Sequence, residues 1–589
     1  MKMEPYLMSV LSNRMYSIGN EMKNTLARTA RSFILAGCRD LSIAICDREG
    51  KILALPASLP VHCGNVDLTV KPCFKHPDGV KKGDMFLNND PLLGNTHHAD
   101  YTYISPVFAE EQLIFWVVAK AHMGDCGNSS PTTYHLKATD VFNEGALDWP
   151  CVKIQKDYED VTDLISIAKS RIRSPETWYG DHLACVGAVR IGERRVLELC
   201  EEYGVDTLLT FAEEYQKYGE KRMLKEIAKM NKGKWTYDTV HDKCIGLHDD
   251  IPLHIEIEVT DEDIIVHLRD NIDCLPLGIN MCRATATSGA RAGVMNHLPV
   301  DIPYNSGALE HIKVLVREGC IFGQVKYPYS ASVCTTNLSD RVINGVQILM
   351  NQVSRDSGMA AGGLAGNLSS TVVSGYDPRK GESYVSQVLA AKTGGPGVKG
   401  HDGWVTYGAP CIGGGMTFMS AEQLEQQYPF LVRKIELIED GIGFGEFNSS
   451  PALQLEYEPT TEEPVTYFMY SAGVHTPNEG AEGGMDGTRV TNYIYDKEKG
   501  EESKEYIYGV VEQKVEKGQV IGTTGASGGG YGNPRNRCPD KVREDVREGW
   551  ISKETAREIY GVVITERTEQ FEVDEEATAA LRKKEAGKC

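Results

Sequence analysis

The sequence predicts a mixed α/β (α+β) protein of several domains, and three observations carry that prediction. A stripe of helical period opens the chain: Leu11, Met15, Ile18, Met22, Leu26, Ala30 and Phe33 recur at spacings of three and four. Short apolar runs then read as strands joined by tight turns. The C-terminal half is punctuated by glycine clusters between further β-like runs, as tight loops and close backbone contacts require. With 589 residues, a prior of about 150 residues per domain gives roughly three to four units. The expected division is an N-terminal α/β domain over 1–205 with metal-site loops and a helical connector over 206–235. A central α/β region over 236–390 follows, then a glycine-rich β region over 391–589 with a helical, charged tail.

The elements follow in order. The segment LSIAICDREGKILAL reads as a hairpin around Asp47-Arg48-Glu49-Gly50. Met85 to Leu87 and Leu113 to Ala119 read as strands, with the loop-like stretch NNDPLLGNTHHADY between them. Ser174-Pro175-Glu176 reads as a turn, after which Asp181 is better placed as a structural cap than as a catalytic group. A helix is expected from about Asp206 to Met230, and PLHIEIEVTDEDIIVHLRD reads as a second hairpin. In that hairpin His254, Glu256 and Glu258 alternate with apolar residues, marking a solvated or inter-domain face.

Composition excludes several function classes. Lys plus Arg number 62 against 83 Asp plus Glu, a net charge of −21. Such a chain lacks the basic face that nucleic acid or an anionic membrane needs. No apolar run approaches the roughly 20 residues of a membrane span, and the first residues do not resemble a signal peptide. The expected location is cytoplasmic. The 16 cysteines contain no C-x-x-C pair and several lie inside apolar runs, so buried free thiols are expected rather than a disulfide scaffold or zinc ribbon.

The strongest chemical signal is a pair of His/Asp segments, Thr96-His97-His98-Ala99-Asp100 and Ala121-His122-Met123-Gly124-Asp125. The first sits in a loop between probable strands and the second just past the end of the apolar strand LIFWVVAK, and loops at strand ends, positioned by a rigid sheet, are where functional groups tend to sit. Two imidazoles and one carboxylate suit a divalent metal and leave coordination positions open. His97 and Asp100 converge across a turn, whereas His98 would point elsewhere. The expected ligands are therefore His97, Asp100 and His122, with His98 and Asp125 as candidates for ligand support or proton transfer. The competing structural reading is hydrogen-bonded loop histidines with Asp100 capping a turn. Gly395-Pro396-Gly397-Val398-Lys399-Gly400 fits G-x-G-x-x-G without a strand–helix context, so a dinucleotide site is not expected. Gly525 to Pro534 reads as a packed turn before an anion nest. No G-x-x-x-x-G-K-[ST] occurs, so no ATP loop of that type is present.

In order and spacing, NNDPLLGNTHHAD, AKAHMGDCGNSSPTTY, RIRSPETWYGDHLA, LPLGIN, TGGPGVKGHDG, YPFLVRKIEL and TGASGGGYGNP resemble the hydantoinase B/oxoprolinase family over nearly the whole chain. Within it, AHMGDCGNSSPTTY, FNEGALDWPCVKIQKDYED and GAVRIGERR are similar to the large (alpha) subunit of acetone carboxylase. Relatives acting on cyclic amides usually show a Leu-Pro-type pair where this chain has His98-Ala99. The resemblance implies an ATP-dependent ketone carboxylase, joining an activated ketone enol to bicarbonate-derived CO2. The alternative is an ATP-dependent cyclic amide hydrolase of N-methylhydantoinase, oxoprolinase or caprolactamase type. It also implies a metal at His97, Asp100 and His122, with manganese expected and zinc or iron as alternatives. A hydantoinase A-like partner would bind ATP and phosphorylate substrates, and a small third subunit is a further expected partner. The chain departs from the acetone carboxylase pattern in being shorter and in carrying Met123-Gly124 where a more polar pair is usual. An aryl ketone such as acetophenone therefore enters the range of implied substrates.

Overall fold

The computed structural model describes residues 3–586 except 245, 355, 365–370, 391–393, 406 and 568–569. It is a mixed α/β structure of several sheets. Helix α1 (Pro5–Thr29) buries Leu11, Met15, Ile18, Met22 and Leu26 on one face. Pro5 sits in its first turn, where a missing N–H costs nothing. The helix stops before Phe33, although the apolar stripe continues. Ala30 is extended, and the N–H groups of Arg31 and Ser32 donate to the Asp181 carboxylate at 2.7 and 2.9 Å. Asp181 thus caps a turn from another part of the chain, and Phe33 belongs to a separate helical turn, Phe33–Ala36.

Strands β1 (Leu41–Asp47) and β2 (Ile52–Ala57) form the expected hairpin. The Asp47 carboxylate accepts from the N–H groups of Glu49 and Lys51 at 2.9 Å each, and Gly50 takes the positive φ of 79° that closes the turn. These strands join β3 (Met85–Asn88), β4 (Asp100–Ala109), β5 (Gln112–His122), β6 (Val152–Lys156) and β7 (Glu159–Asp160). The order is β2-β1-β5-β4-β3-β6-β7, antiparallel throughout. Helix α1 lies on this sheet beside α2 (Pro175–Tyr203). The expected turn at Ser174–Glu176 is the start of this 29-residue helix, with Pro175 and Glu176 in its first turn as the helix dipole favours. Helix α3 (Val205–Ile227) follows across Gly204 and ends three residues short of the expected Met230.

The second sheet contains β8 (Gly233–His241), β9 (Ile251–Val259), β10 (Ile264–His267) and β11 (Ile312–Leu315), in the order β11-β10-β9-β8. Helices α4 (Arg283–Met295) and α5 (Asn337–Val353) pack together, and α5 lies against β8 and β9. Nine further strands lie between residues 371 and 524: β12 (Thr371–Asp377), β13 (Glu382–Val388), β14 (Phe430–Leu437), β15 (Leu453–Pro459), β16 (Val465–Tyr470), β17 (Thr491–Asp496), β18 (Glu505–Tyr506), β19 (Val510–Val515) and β20 (Gln519–Thr524). They form two sheets, ordered β13-β12-β16-β19 and β14-β15-β20-β17-β18. The first of these draws strands from both sides of residue 390.

The glycine loops between these strands pack against one another. The Gly397 N–H donates to the Gly529 carbonyl at 2.9 Å, and a Cβ on Gly397 would lie 2.3 Å from the Phe447 carbonyl oxygen. Gly395–Gly400 is therefore a packing loop with no helix after it, and Gly525–Pro534 is its counterpart. The tail is helical over α6 (Pro539–Arg547), Lys553–Glu558 and Glu575–Ala586. A small hairpin, Ile564–Arg567 with Gln570–Val573, interrupts what the charge pattern presents as continuous helix. Gly549 and Gly561, both at positive φ, break the helices. All described cysteines are free, and all but Cys538 are buried.

Arg537 anchors this tail. It is 2% exposed and pairs with Asp402 at 2.6 and 3.0 Å and with Asp545 at 2.9 and 3.1 Å. Burial works against its charge, but the two carboxylates outweigh that and raise its pKa. Arg537→Met leaves both carboxylates without their partner, and a loss of about 3–5 kcal/mol is expected. Equilibrium denaturation of the variant measures it; a loss below 1 kcal/mol contradicts this account.

Candidate metal centre

Strand register builds the site. Asp100 opens β4, His122 closes β5, and the two are direct cross-strand partners. The Asp100 N–H bonds the His97 carbonyl at 3.1 Å, which folds 97–100 into a turn. Asp100 Oδ1 then lies 3.1 Å from His97 Nε2 and 3.1 Å from His122 Nδ1. Its Oδ2 lies 3.0 Å from His62 Nε2 and accepts the Thr96 hydroxyl. His62 comes from the segment after β2 and is held through Nδ1 by Ser42 Oγ at 2.9 Å. All five side chains are buried. Burial opposes charge on Asp100, but the imidazoles of His97 and His62 outweigh it and hold the carboxyl well below its usual range.

The donor set fits a cation. His97 Nδ1 faces the Ser332 carbonyl at 2.9 Å, and a carbonyl only accepts, so Nδ1 carries a proton. The Nε2 lone pair of a neutral ring then meets a carboxylate oxygen, and a proton or metal cation must lie between them. His122 Nε2 is buried with no hydrogen-bond partner. Ligand atoms of His97, Asp100 and His122 lie within 4.8 Å of one another, so two imidazoles and a carboxylate can converge on one divalent ion. Tyr134 covers the pair, its ring stacked 5.8 Å from His97 and tilted 5.6 Å from His122. The cavity at this point measures about 30 Å³, room for an ion and one or two further atoms.

Asp40 also lines the cavity. It immediately precedes β1, whose pairing with β5 sets Leu41 opposite Ala121, and its carbonyl accepts the His122 N–H at 3.1 Å. Burial pushes its carboxyl up, against the pull of His122 and His62. Asp40, His62 and Tyr134 escape sequence reasoning. Each is a single polar residue with no spacing to a partner: the β1–β5 register joins Asp40 to the trio, while His62 and Tyr134 reach it from segments outside those strands.

His98 and Asp125 are placed elsewhere. His98 turns away, as its position next to His97 implies, and its Nδ1 pairs with Glu144 at 2.9 Å. Ser330 donates to the other Glu144 oxygen at 2.5 Å. Burial disfavours the His98 charge, but Glu144 outweighs it and raises the imidazole to about 9. Asp125 accepts from the Gly127 N–H at 2.9 Å, the Arg173 N–H at 2.7 Å and Arg173 Nη1 at 3.1 Å. Neither side chain lines the metal cavity, and both have structural partners that account for them. A second His/Glu group, Glu256, Glu258 and His267, is bridged by Lys234 at 3.3 and 3.0 Å, while His254 pairs with Asp238 at 2.7 Å.

The profile of the hydantoinase B/oxoprolinase family matches residues 4–534. The chain belongs to that family. Caprolactamase subunit beta of Pseudomonas jessenii is 28% identical over 588 residues, covering 98% of this chain and 99% of that one. The crystal structure of the ATP-dependent caprolactamase from the same organism superposes with a TM-score of 0.87 at 24% identity, covering 99% of this chain and 100% of its own. Nucleotide-free acetone carboxylase superposes with a TM-score of 0.84 at 19% identity, covering 99% and 83%. The structures that share this fold thus include ATP-dependent enzymes of both kinds, and the fold does not divide amide hydrolysis from carboxylation.

The geometry makes a sharp distinction between adjacent histidines. His97→Ala and His122→Ala should each lower bound divalent metal at least about tenfold, whereas His98→Asn, on the far side of the backbone, should retain it. Elemental analysis of the purified variants decides; equal metal in all of them rules out the trio.

Proposed function

We propose that this chain is the metal-bearing subunit of an ATP-dependent enzyme that opens a cyclic amide. The observation that carries the reading is the buried meeting of His97, Asp100 and His122, with the His122 Nε2 left without a protein partner. The match from end to end with a caprolactamase subunit supports an amide as the substrate. With no phosphate loop of its own, the chain needs a partner of hydantoinase A type to bind ATP and activate the amide.

His97, Asp100 and His122 would hold the ion, with Asp40 as a further oxygen donor at the cavity wall. A divalent ion there acts as a Lewis acid, polarising a carbonyl or phosphoryl oxygen and lowering the pKa of water. Two imidazoles and a carboxylate accept manganese, zinc or iron alike. His62, fixed by Ser42, holds Asp100 Oδ2 and so orients Oδ1 toward the two imidazoles. Tyr134 covers their faces and excludes bulk water. The cavity admits only the reacting atoms, so the body of the substrate lies outside it.

Ketone carboxylation is the second reading, favoured by AHMGDCGNSSPTTY and by His98-Ala99 in place of a Leu-Pro-type pair. The test uses the chain purified with its hydantoinase A-like partner, ATP and a divalent metal. Lactams and hydantoins are supplied in one arm, ketones with labelled bicarbonate in the other. ATP-coupled ring opening is expected, reduced at least about hundredfold in His122→Ala. Ketone-dependent label in a stable acid would replace it with the second reading, and inactivity in both arms defeats both.

A further inference from the structure

A buried cation stands behind the trio. Lys120 lies on β5 two residues before His122, and side chains two apart on a strand share a face of the sheet. It is 1% exposed. Its ammonium approaches Asn65 Oδ1 at 3.5 Å and Thr96 Oγ1 at 3.4 Å. Both acceptors are buried and held in place. The Asn65 amide nitrogen donates to the carbonyls of Val61 and Ala284 and to Ser288 Oγ, at 3.1, 3.3 and 2.6 Å, which turns its oxygen to the lysine.

An ammonium only donates. Thr96 Oγ1 therefore receives Lys120, and its one hydrogen is directed to Asp100 Oδ2. A chain of two hydrogen bonds thus runs from the lysine to the carboxylate that joins both imidazoles of the trio. Lysine is seldom buried this completely unless an opposite charge answers it, and Asp100 is the buried carboxylate at the end of that chain. A divalent ion at the trio draws on the same carboxylate. Like charges repel strongly in an interior that water does not screen.

We propose that Lys120 is a positioning residue of the metal centre, which fixes Asp100 through Thr96 and competes with the metal ion for its charge. Two effects of opposite sign follow. The ion is held less tightly than two imidazoles and a carboxylate alone would hold it. Less of its charge is cancelled by Asp100, so it polarises a bound oxygen more strongly. This deepens the reading above by assigning the residue that tunes the metal. It rests on the trio holding a metal and not on which bond the enzyme breaks.

The test uses the full-length chain, with Mn2+ or Zn2+ titrated against a chelator of known affinity. Lys120→Met keeps the length of the side chain without its charge. It should bind the ion at least about tenfold more tightly than wild type, whereas damage to the fold would loosen it. In the complex with the ATP-binding partner, at saturating metal, its kcat should fall. Lys120→Gln keeps a donor without the charge and should also bind the ion more tightly; it carries the test where Lys120→Met does not fold. Affinity equal to or below that of wild type overturns the proposal, as does failure of both variants to fold with metal present. No binding by wild type removes the metal trio and this proposal together. Tighter metal in the variants of a complex that opens no cyclic amide leaves the proposal standing, and the amide reading falls.

Discussion

A carboxylate with almost no access to water sets the terms for the N-terminal half. Asp100 is charged and fully buried, and burying an unpaired charge is prohibitively costly. His62 and the Thr96 hydroxyl meet one of its oxygens, and His97 and His122 face the other. These partners come from the segment after β2, the turn before β4 and the end of β5. Neutralising one group therefore fixes the relative positions of three chain segments. The sheet that holds them has the central order β1-β5-β4, which places all three at one strand end.

The cavity is closed by parts of the chain that are remote in sequence. Thr335 precedes α5, Gln387 ends β13, and Cys411 follows a glycine loop. The segment before α5, strand β13 and a loop of the C-terminal half thus close the cavity, while the N-terminal sheet supplies the ligand side. The interlocked glycine loops serve this arrangement mechanically. Backbone-to-backbone contacts, such as Gly397 against Phe447 and Gly529, bring loops closer than any side chain would allow.

Much of this was legible in advance, and the reasons differ from element to element. The stripe of α1 and the β1–β2 hairpin are local features, set by periodicity and turn chemistry. The His97–Asp100 turn is local as well, and the strand-end position of His122 follows from the apolar run before it. The start of α2 was obscured because Ser-Pro-Glu opens turns and helices alike. The hairpin within the tail was obscured because charged residues alternate through it as they do along a helix.

The sequence by itself determined the fold class, the β1–β2 hairpin, β3 and β5 of the first sheet and the three polar residues that meet at its strand ends, but not β4, whose first residues read as part of the loop before it. These follow from patterns within a few residues of one another, where periodicity and steric preference act directly. Only the tertiary structure decided that Glu144 is the partner of His98, that Asp125 is held by Arg173, and that Asp40, His62, Tyr134 and Thr335 surround the trio. Those outcomes depend on strand register and on contacts between segments tens to hundreds of residues apart. A single polar side chain carries no trace in its own neighbourhood of the partner that long-range packing brings to it.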